Sequence, residues 1–463
     1  MFRKTRHVHF VGIGGVGMSG IAEVLINSGY KVSGSDLHDS KGIRHLCDIG
    51  AEVFIGHSPS NINGSEVVVV SSAVRSDNVE IISAKERSIP VIPRGEMLSE
   101  LMRLKYGIAV AGSHGKTTTT SMIATVLAGG GLDPTMVIGG RLNSLGSGAR
   151  LGQGNFLVAE ADESDGSFLS LSPTIAVVTT IDREHLDYYR DIKNIKKAFI
   201  KFINRIPFYG VAVLCIDQEH IQNIIPEVEK RYITYGLSPE ADYTAKDILF
   251  SGLHTTLSVY WKGRDLGKIG INMPGIHNVS NLLAAIVVGQ ELDIDFSTIS
   301  NSLEGFSGIE RRFHIKGEER GIIVMDDYGH HPAEIRVTLR AAKGVWKDKR
   351  IIVVFQPHRY TRVKSLLKDF FKAFHDADSL IVTSIYSAGE RPIQGVDGHL
   401  LCNGIKKQGH RDVVFIEEKE EIVRHLLDRV KSGDVVMTLG AGDIWKVGVN
   451  LLRGLRGEDW KLD

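Results

Sequence analysis

Short apolar runs alternate with glycine turns and longer amphipathic stretches along most of the chain. The runs HVHFV, GIAVAG and GIIVM are typical of buried strands, and MSGIAEVLINSG is typical of a helix that follows a strand. Strands that alternate with helices indicate parallel sheets covered by helices. The pattern therefore predicts an α/β protein in which several strand ends carry glycine-rich turns.

The alternation falls into three blocks, which we interpret as three domains at 1–106, 107–312 and 313–463. We predict an N-terminal Rossmann-like domain, a central P-loop-type mononucleotide-binding parallel sheet and a smaller C-terminal Rossmann-like sheet. In the middle block, TTLSVYWKG alternates between polar and apolar residues, which predicts a strand that pairs antiparallel.

Composition narrows the possible partners. The chain has 463 residues and 43% hydrophobic content, and its 55 Lys plus Arg residues balance its 55 Asp plus Glu residues. No basic block suggests a nucleic-acid surface or an anionic membrane, and nothing in the sequence identifies a protein partner. The three cysteines lie far apart, and no signal core or long apolar segment occurs, so we expect a cytoplasmic protein.

The segment GSHGKTTTT follows an apolar strand and carries the strongest chemical signal. In this shortened P-loop pattern, main-chain amides surround phosphate oxygens, Lys116 reaches the β- and γ-phosphates, and Thr117 offers its hydroxyl to Mg²⁺. The alternative is a plain glycine-rich turn. The nucleotide-binding candidates are Gly112, Ser113, His114, Gly115, Lys116, Thr117 and Thr118.

A second glycine motif, GxGxxG, follows the first strand, and Asp36 closes the next strand. By itself this motif suggests NAD, but the glycines only admit a pyrophosphate to a helix N-terminus, so a UDP-sugar fits equally well. A tight turn without a ligand is the alternative. The substrate-binding candidates here are Gly12, Gly14, Gly15 and Gly17, together with Ser71 and Ser72 at another strand end.

Acidic residues and a histidine follow two strands of the middle block. We select Glu160 and His185 as metal-site partners, because carboxylate and imidazole groups are ordinary partners of Mg²⁺ beside ATP. A hard cation prefers oxygen ligands, so His185 is the weaker ligand of the two. A solvated acidic loop is the alternative. The other acids of the two segments are expected to be turn or cap residues: Asp162, Glu163, Asp165, Asp182, Glu184 and Asp187.

Asn278 and Asn281 lie three residues apart on one predicted helix face, where they could contact a purine, although Asn278 could instead cap the helix. In the third block, Arg359 and Arg362 could clamp a carboxylate, while Asp327 and His330 could orient an amine or a phosphate. His331 and His358 are weaker candidates. All of these could instead be satisfied loop residues at a sheet edge.

Nine motifs in order closely resemble the Mur ligase family, and the resemblance spans essentially the whole chain. The motifs are GIGGVGMSGIA, GSHGKTTTT, EADESD, EHLDYY, GIHNVSNLLAA, ERRFH, DDYGHHPAE, PHRYTR and TLGAGDI. The resemblance implies an N-terminal domain for a UDP-sugar, a central domain for MgATP and a C-terminal domain for an amino acid. It therefore favours UDP over NAD at the first glycine motif.

The resemblance also implies an activity: ATP-dependent ligation of L-alanine to the carboxylate of UDP-N-acetylmuramate, through an acyl phosphate, in peptidoglycan precursor synthesis. It places Asn281, Arg312 and Asp327 at ATP, with Glu160, His185 and Thr117 at the metal. The implied catalytic residues are Lys116, His330, Arg359 and Arg362, and the implied amino-acid site is Tyr328, His330, Arg359 and Arg362. The alternatives are a ligase that recycles a whole tripeptide and, more distantly, an NAD-dependent oxidoreductase or a nucleotide-sensing binding protein.

Overall fold

The computed structural model describes residues 6–71, 73–139 and 148–460. Three sheets organise these residues, and all three consist mainly of parallel strands, which confirms the predicted three-domain α/β class. By internal packing the chain divides into two compact units. The first comprises residues within 1–248, 256–271 and 278–307, and the second comprises 249–255, 272–277 and residues within 308–463.

The first sheet has five parallel strands in the spatial order β3-β2-β1-β4-β5. Its strands are β1 His7–Val11, β2 Lys31–Asp36, β3 Glu52–Ile55, β4 Val67–Val70 and β5 Val91–Pro93. Its helices are α1 Val16–Asn27, α2 Lys41–Asp48, α3 Val79–Glu86 and α4 Arg94–Met102. Because the strand order reverses at β1, the turns after β1 and β4 border the crevice where such sheets bind ligands.

The second sheet has ten strands in the order β15-β14-β13-β12-β11-β10-β6-β9-β7-β8. Its strands are β6 Tyr106–Ala111, β7 Thr135–Val137, β8 Ala149–Arg150, β9 Phe156–Glu160, β10 Ile175–Val178, β11 Val211–Cys215, β12 Tyr232–Gly236, β13 Tyr243–Ser251, β14 His254–Trp261 and β15 Arg264–Ile271. Its helices are α5 Lys116–Gly129, α6 Leu186–Tyr189, α7 Ile192–Ile203, α8 Glu219–Gln222, α9 Ile276–Glu291 and α10 Phe296–Glu304. Strand β6 pairs in parallel with β9 and β10, so their carboxyl ends meet at one edge.

The third sheet has six strands in the order β16-β17-β21-β18-β19-β20, and only the β16–β17 pair is antiparallel. Its strands are β16 His314–Glu319, β17 Ile322–Asp327, β18 Ile351–Phe355, β19 Ser379–Val382, β20 Val413–Phe415 and β21 Val435–Leu439. Its helices are α11 Pro332–Val345, α12 Tyr360–Ser365, α13 Leu367–Phe370, α14 Gly398–Lys407, α15 Lys419–Arg429 and α16 Trp445–Arg456.

Burial explains why the sequence shows continuous apolar runs rather than alternation in the central strands. All five residues of β1, β11, β18 and β21 are buried. Helices cover both faces of a parallel sheet, so both faces of its strands must be apolar. Among the described helices, none combines the length and the apolar character needed to span a membrane.

Candidate active site

The first glycine motif forms the turn between β1 and α1. The amides of Gly12 and Ile13 donate to the Ser35 carbonyl at 2.8 and 3.1 Å, and the Gly14 amide donates to Oδ2 of Asp36 at 2.9 Å. Gly12 has φ of 80°, a conformation that favours glycine. Helix α1 begins at Val16, directly after this turn, and has no side-chain cap.

Ser71 lies beside this turn, because a Cβ at Gly12 would come within 3.1 Å of the Ser71 Cβ. Ser72, the other predicted serine, lies outside the described residues. The structure thus brings Gly12, Gly14, Asp36 and Ser71 together at the crevice of the first sheet. Binding of a diphosphate at this turn stays a prediction.

A buried polar network supports the first glycine turn through Ser35, whose carbonyl accepts the Gly12 and Ile13 amides. Glu80 is fully buried and accepts hydrogen bonds from Ser35 Oγ at 2.5 Å, the Ser58 amide at 3.1 Å and Asn61 Nδ2 at 2.7 Å. His9 Nε2 lies 3.5 Å from its carboxylate. Burial alone would raise the pKa of Glu80, but these donors stabilise the charged form and lower the pKa to about 2.

The second glycine motif forms the turn between β6 and α5, at the predicted position. Gly112 has φ of 139° and Gly115 has φ of 81°. The Ser113 amide donates to the Thr180 carbonyl at 3.0 Å, and the His114 amide donates to Thr180 Oγ1 at 2.8 Å. The turn is therefore held by the loop that follows β10, and Thr117 lies in the first turn of α5.

Lys116 is enclosed by this turn and by a buried carboxylate. Its Nζ donates to the Gly112 carbonyl at 2.6 Å and forms an ion pair with Glu163 at 2.9 Å. Burial alone lowers the pKa of Lys116, but the carboxylates of Glu163, Asp162 and Glu184 raise it above the ordinary value. Lys116 therefore carries its positive charge at the mouth of α5.

Glu163 was expected to be a turn or cap residue, and its carbonyl does accept the Gly166 amide at 3.1 Å, but its pairing with Lys116 was not predicted. Its side chain is buried, burial raises its pKa against the opposing effect of Lys116, and the Tyr189 hydroxyl donates to its carbonyl at 2.6 Å. Six acids follow these two strands, and sequence alone does not show which of them faces the lysine. An acid directly after a buried strand was the only available signal.

The histidine and two glutamates form a possible metal-binding group. The ligand atoms of Glu163, Glu184 and His185 all lie within 4.8 Å of one another. His185 Nε2 is 3.8 Å from Glu163 and 3.7 Å from Glu184. Glu160 lies at the end of β9, as predicted, where its carboxylate accepts a hydrogen bond from the Gly139 amide at 2.8 Å. Glu184 was also assigned a turn or cap role, and its place in this group argues against that assignment.

Asn281 reaches the second glycine turn from α9. Thr119 Oγ1 donates to Asn281 Oδ1 at 3.1 Å, and a Cβ at Gly115 would lie 2.6 Å from the same oxygen. Asn281 Nδ2 donates to Asn278 Oδ1 at 3.2 Å, which confirms that the two residues share a helix face. Helix α9 begins at Ile276, so Asn278 lies inside the helix and the capping alternative is wrong.

In the second unit, a group of aromatic, histidine and arginine side chains gathers after β17 and β18. The rings of Tyr328 and His330 meet edge to face at 5.5 Å, and the ring of His330 lies 5.5 Å from that of His358. Arg362 Nη1 lies 3.1 Å from His358 Nδ1. Burial and the neighbouring charges of His330, Arg362 and Arg359 lower the pKa of His358 to about 3, so its ring is neutral.

The remaining predicted residues of this unit lie around the same group. Arg312 stacks over the Tyr328 ring at 5.2 Å. Asp327 is buried and accepts hydrogen bonds from the amides of Phe313 and Gly329, both at 2.8 Å, while burial raises its pKa. Arg359 adopts φ of 67°, an unusual conformation for this residue type that concentrates at functional sites.

His331 has a structural role that the sequence left open. Its Nδ1 accepts a hydrogen bond from the Ala333 amide at 3.3 Å, and Glu334 accepts one from the His331 amide, which together cap α11. Glu334 also accepts a hydrogen bond from the His330 amide at 3.0 Å. The cap therefore fixes the segment that carries His330.

Three family models match the chain in succession. Residues 7–106 match the Mur ligase family catalytic domain, residues 110–289 the Mur ligase middle domain, and residues 311–442 the Mur ligase glutamate ligase domain. A curated relative from Geotalea uraniireducens (strain Rf4), named UDP-N-acetylmuramate--L-alanine ligase, is 59% identical over 99% of this chain and 100% of its own length.

Two solved structures are similar over nearly the full length. The crystal structure of the UDP-N-acetylmuramate-alanine ligase from Thermotoga maritima has a TM-score of 0.84 and 30% identity, covering 97% of this chain and 99% of that one. A murein peptide ligase from Psychrobacter arcticus 273-4 has a TM-score of 0.73 and 24% identity, covering 99% and 100%. The second similarity shows a shared fold.

Proposed function

Because the chain belongs to the Mur ligase family, we propose that it joins L-alanine to the carboxylate of UDP-N-acetylmuramate at the expense of ATP. The full-length identity to a relative named for this reaction supports the choice of substrates. One structural observation supports the chemistry most directly: a charged lysine is held at a glycine turn beside a group of carboxylates. Such a site suits a nucleoside triphosphate.

The proposed reaction follows from the leaving group. A carboxylate does not accept an amine directly, so ATP converts it to an acyl phosphate and releases ADP. The amine of L-alanine then attacks, and phosphate leaves as the amide bond forms. Both anions must first be brought together, and a unit-charge contact at ~4 Å is worth about 4 kcal/mol at an effective dielectric of 20. Lys116 supplies one such contact, and the amides at the start of α5 supply further positive potential.

Mg²⁺ is the metal we propose for the site, because the neighbouring donors include carboxylates that suit a hard cation. Glu163, Glu184 and His185 form the group whose ligand atoms lie together, with Thr117 and Glu160 as the further candidates from the sequence. When bound, Mg²⁺ would neutralise phosphate charge. Lys116 keeps Glu163 oriented toward the nucleotide turn by their 2.9 Å ion pair.

For the amino acid we propose the group in the second unit. Arg362, oriented by His358, and Arg359 would bind the carboxylate of L-alanine, because a guanidinium matches a carboxylate with two parallel hydrogen bonds. His330 would accept the amine proton or position the amine beside Tyr328. Arg312, Asp327 and Asn281 are proposed to contact ATP, with Asn278 as the residue that orients Asn281.

We propose domain limits of 1–106, 107–312 and 313–463. The first domain would bind the UDP-sugar, the second MgATP and the third L-alanine. We also propose a cytoplasmic location, because ATP and UDP-linked sugars are found in the cytoplasm. The pathway is peptidoglycan precursor synthesis, and therefore cell-wall biogenesis, cell shape and division.

Phosphate release from MgATP in the presence of UDP-N-acetylmuramate tests the proposal. L-alanine, glycine, L-serine, D-glutamate and the L-Ala-γ-D-Glu-diaminopimelate tripeptide serve as acceptors, and omission of the acceptor gives the background. We expect release to be strongest with L-alanine, with imperfect rejection of glycine and serine, because one methylene discriminates by only about 1–3 kcal/mol. Release with the tripeptide alone would assign the recycling activity, and no release with any acceptor would contradict the ligase proposal.

A further inference from the structure

Arg94 lies between the two glycine turns of the first unit. It is the first residue of α4, directly after β5. Its Nη2 donates to Oδ2 of Asp162 at 2.8 Å, and a Cβ placed on Gly17 would overlap its Nη1. One guanidinium therefore reaches the first turn of α1 with one nitrogen and the acidic segment after β9 with another.

Asp162 continues this connection toward the second glycine turn. It directly precedes Glu163, which holds Lys116 at 2.9 Å. Its carboxylate accepts hydrogen bonds from Arg94 Nη2 at 2.8 Å and from the Ser164 amide at 3.1 Å. Asp162 therefore connects Arg94 to the segment that holds Lys116.

The backbone around this contact is fixed by close packing. Ser99 Oγ donates to the Ser170 carbonyl at 2.8 Å, and Ser170 Oγ donates to the Gly95 carbonyl at 3.3 Å. A Cβ at Gly95 would lie 2.6 Å from the Cβ of Ser167, so only glycine permits this approach. Helix α4 and the segment after β9 therefore hold Arg94 and Asp162 in register.

We propose that Arg94 is a positioning residue that couples the first glycine turn to the second. A guanidinium has five donors, and the contact with Asp162 uses one of them, so others can reach a nucleoside diphosphate at the start of α1. A diphosphate bound there orients Arg94 for Asp162, and an ordered Asp162–Glu163 segment orients Lys116 for a triphosphate. Each ligand then reduces the ordering cost of the other.

This inference rests on the proposed function for the identity of the two ligands, and it predicts a coupling that is equal in both directions. In the native protein we expect the affinity for a nonhydrolysable ATP analogue with Mg²⁺ to rise roughly five-fold or more when UDP-N-acetylmuramate is bound, at the lower end of the usual range of such couplings. In Arg94→Gln we expect the ratio of the two affinities to approach one.

Isothermal titration calorimetry of the full chain tests this without turnover. The ATP analogue is titrated with and without saturating UDP-N-acetylmuramate, in the native protein and in Arg94→Gln, Arg94→Lys, Asp162→Asn and the Arg94→Gln/Asp162→Asn double variant. Arg87→Gln is the matched control, because Arg87 follows α3 and contacts Asn63 and the Pro59 carbonyl. We expect the double variant to lose no more coupling than either single variant.

The outcomes separate the inference from the proposed function. A native coupling ratio that Arg94→Gln and Arg94→Lys leave unchanged would overturn the inference, as would independent binding of both ligands by the native protein. A purely structural role would weaken both affinities in proportion and leave the ratio intact, which also contradicts it. If the native protein bound neither ligand, the proposed function itself would fail.

Discussion

The two glycine turns of the first unit have the same local design and different chemistry. Each follows a buried parallel strand, uses a glycine with positive φ and leads into a helix without a side-chain cap. The first turn is held by an acid, Asp36, whereas the second encloses Lys116 against Glu163. The two turns therefore share their glycine conformations and differ in the charged residues around them, which is the basis for proposing a different phosphate compound at each.

Removing the lysine tests this difference most severely. We expect Lys116→Ala to reduce turnover by roughly 10³-fold or more, because the variant loses the charge that stabilises the transferring phosphoryl group and leaves Glu163 unpaired. Affinity for UDP-N-acetylmuramate measured without ATP should change little. Phosphate-release kinetics and calorimetry give the two values, and Lys85→Ala on the exposed face of α3 is the control. Retention of turnover in Lys116→Ala would show that the second turn is not the nucleotide site.

The support beneath the first turn should depend on pH in a defined direction. Relative to an ordinary value of 4.5, a pKa of about 2 for Glu80 corresponds to about 3 kcal/mol of stability. Because the folded-state pKa is lowered, this stability is present above pH 4.5 and is lost as the pH falls from 4.5 toward 2. We expect Glu80→Gln to destabilise β1 and β2 at pH 7 and to approach the native protein near pH 2.

Hydrogen exchange with mass spectrometry, corrected for intrinsic rates, measures this effect on peptides from the first sheet. Glu52→Gln is the control, because Glu52 is exposed and lies 3.9 Å from Lys31. If the exchange rates of these peptides differed between Glu80→Gln and the native protein by the same factor at pH 7 and at pH 3, the assigned charge of Glu80 would be contradicted.

A substitution at Gly115 tests the backbone conformation of the second turn. Gly115→Ala combines a φ of 81° with a Cβ only 2.6 Å from Asn281 Oδ1. The left-handed backbone cost of about 1–2 kcal/mol lowers the stability of this variant and of its control alike. We expect in addition about 2 kcal/mol of lost affinity for MgATP in Gly115→Ala, because the turn must shift to relieve the overlap with Asn281. Gly131→Ala is the matched control, because Gly131 has φ of 76° and open space around it. Equal nucleotide affinities in the two variants would exclude a specific role for Gly115.

The smallest expected effect concerns the acid at the first turn. Asp36→Ala removes the acceptor of the Gly14 amide, a hydrogen bond to a charged group that is worth about 1.5 kcal/mol. We therefore expect a roughly ten-fold lower affinity for UDP-N-acetylmuramate and an unchanged affinity for the ATP analogue. Calorimetry measures both, with the exposed Asp48→Ala on α2 as the control. A change in ATP affinity alone would reverse the assignment of the two turns.

The local sequence pattern was sufficient to predict the positions of both glycine turns. The glycines of each motif lie between a predicted strand and a predicted helix, and the structure has β1 and α1, or β6 and α5, at those places. Pattern also placed Asn278 and Asn281 on one face of α9. These features depend on residues close in sequence, so periodicity and turn chemistry report them directly.

Side-chain partners across the first unit were not predictable in the same way. Glu163 and Asp162 were interpreted as turn or cap residues, and no role was predicted for Arg94, because a single arginine after a short strand carries no pattern. Their roles arise only where β5, β6 and β9 bring their following segments together. A strand end shows that a side chain lies at the sheet edge, but not which neighbour it faces.

The α/β class, the positions of the two glycine turns, and the residue types that phosphate and carboxylate chemistry require all follow from the pattern of the sequence. The pairing of Glu163 with Lys116, the support of the first turn by Glu80, and the position of Arg94 next to both Gly17 and Asp162 depend on the folded chain. The physical reason is that hydrophobic periodicity is a local property, whereas burial and ion pairing depend on residues such as Arg94 and Asp162 that are 68 positions apart.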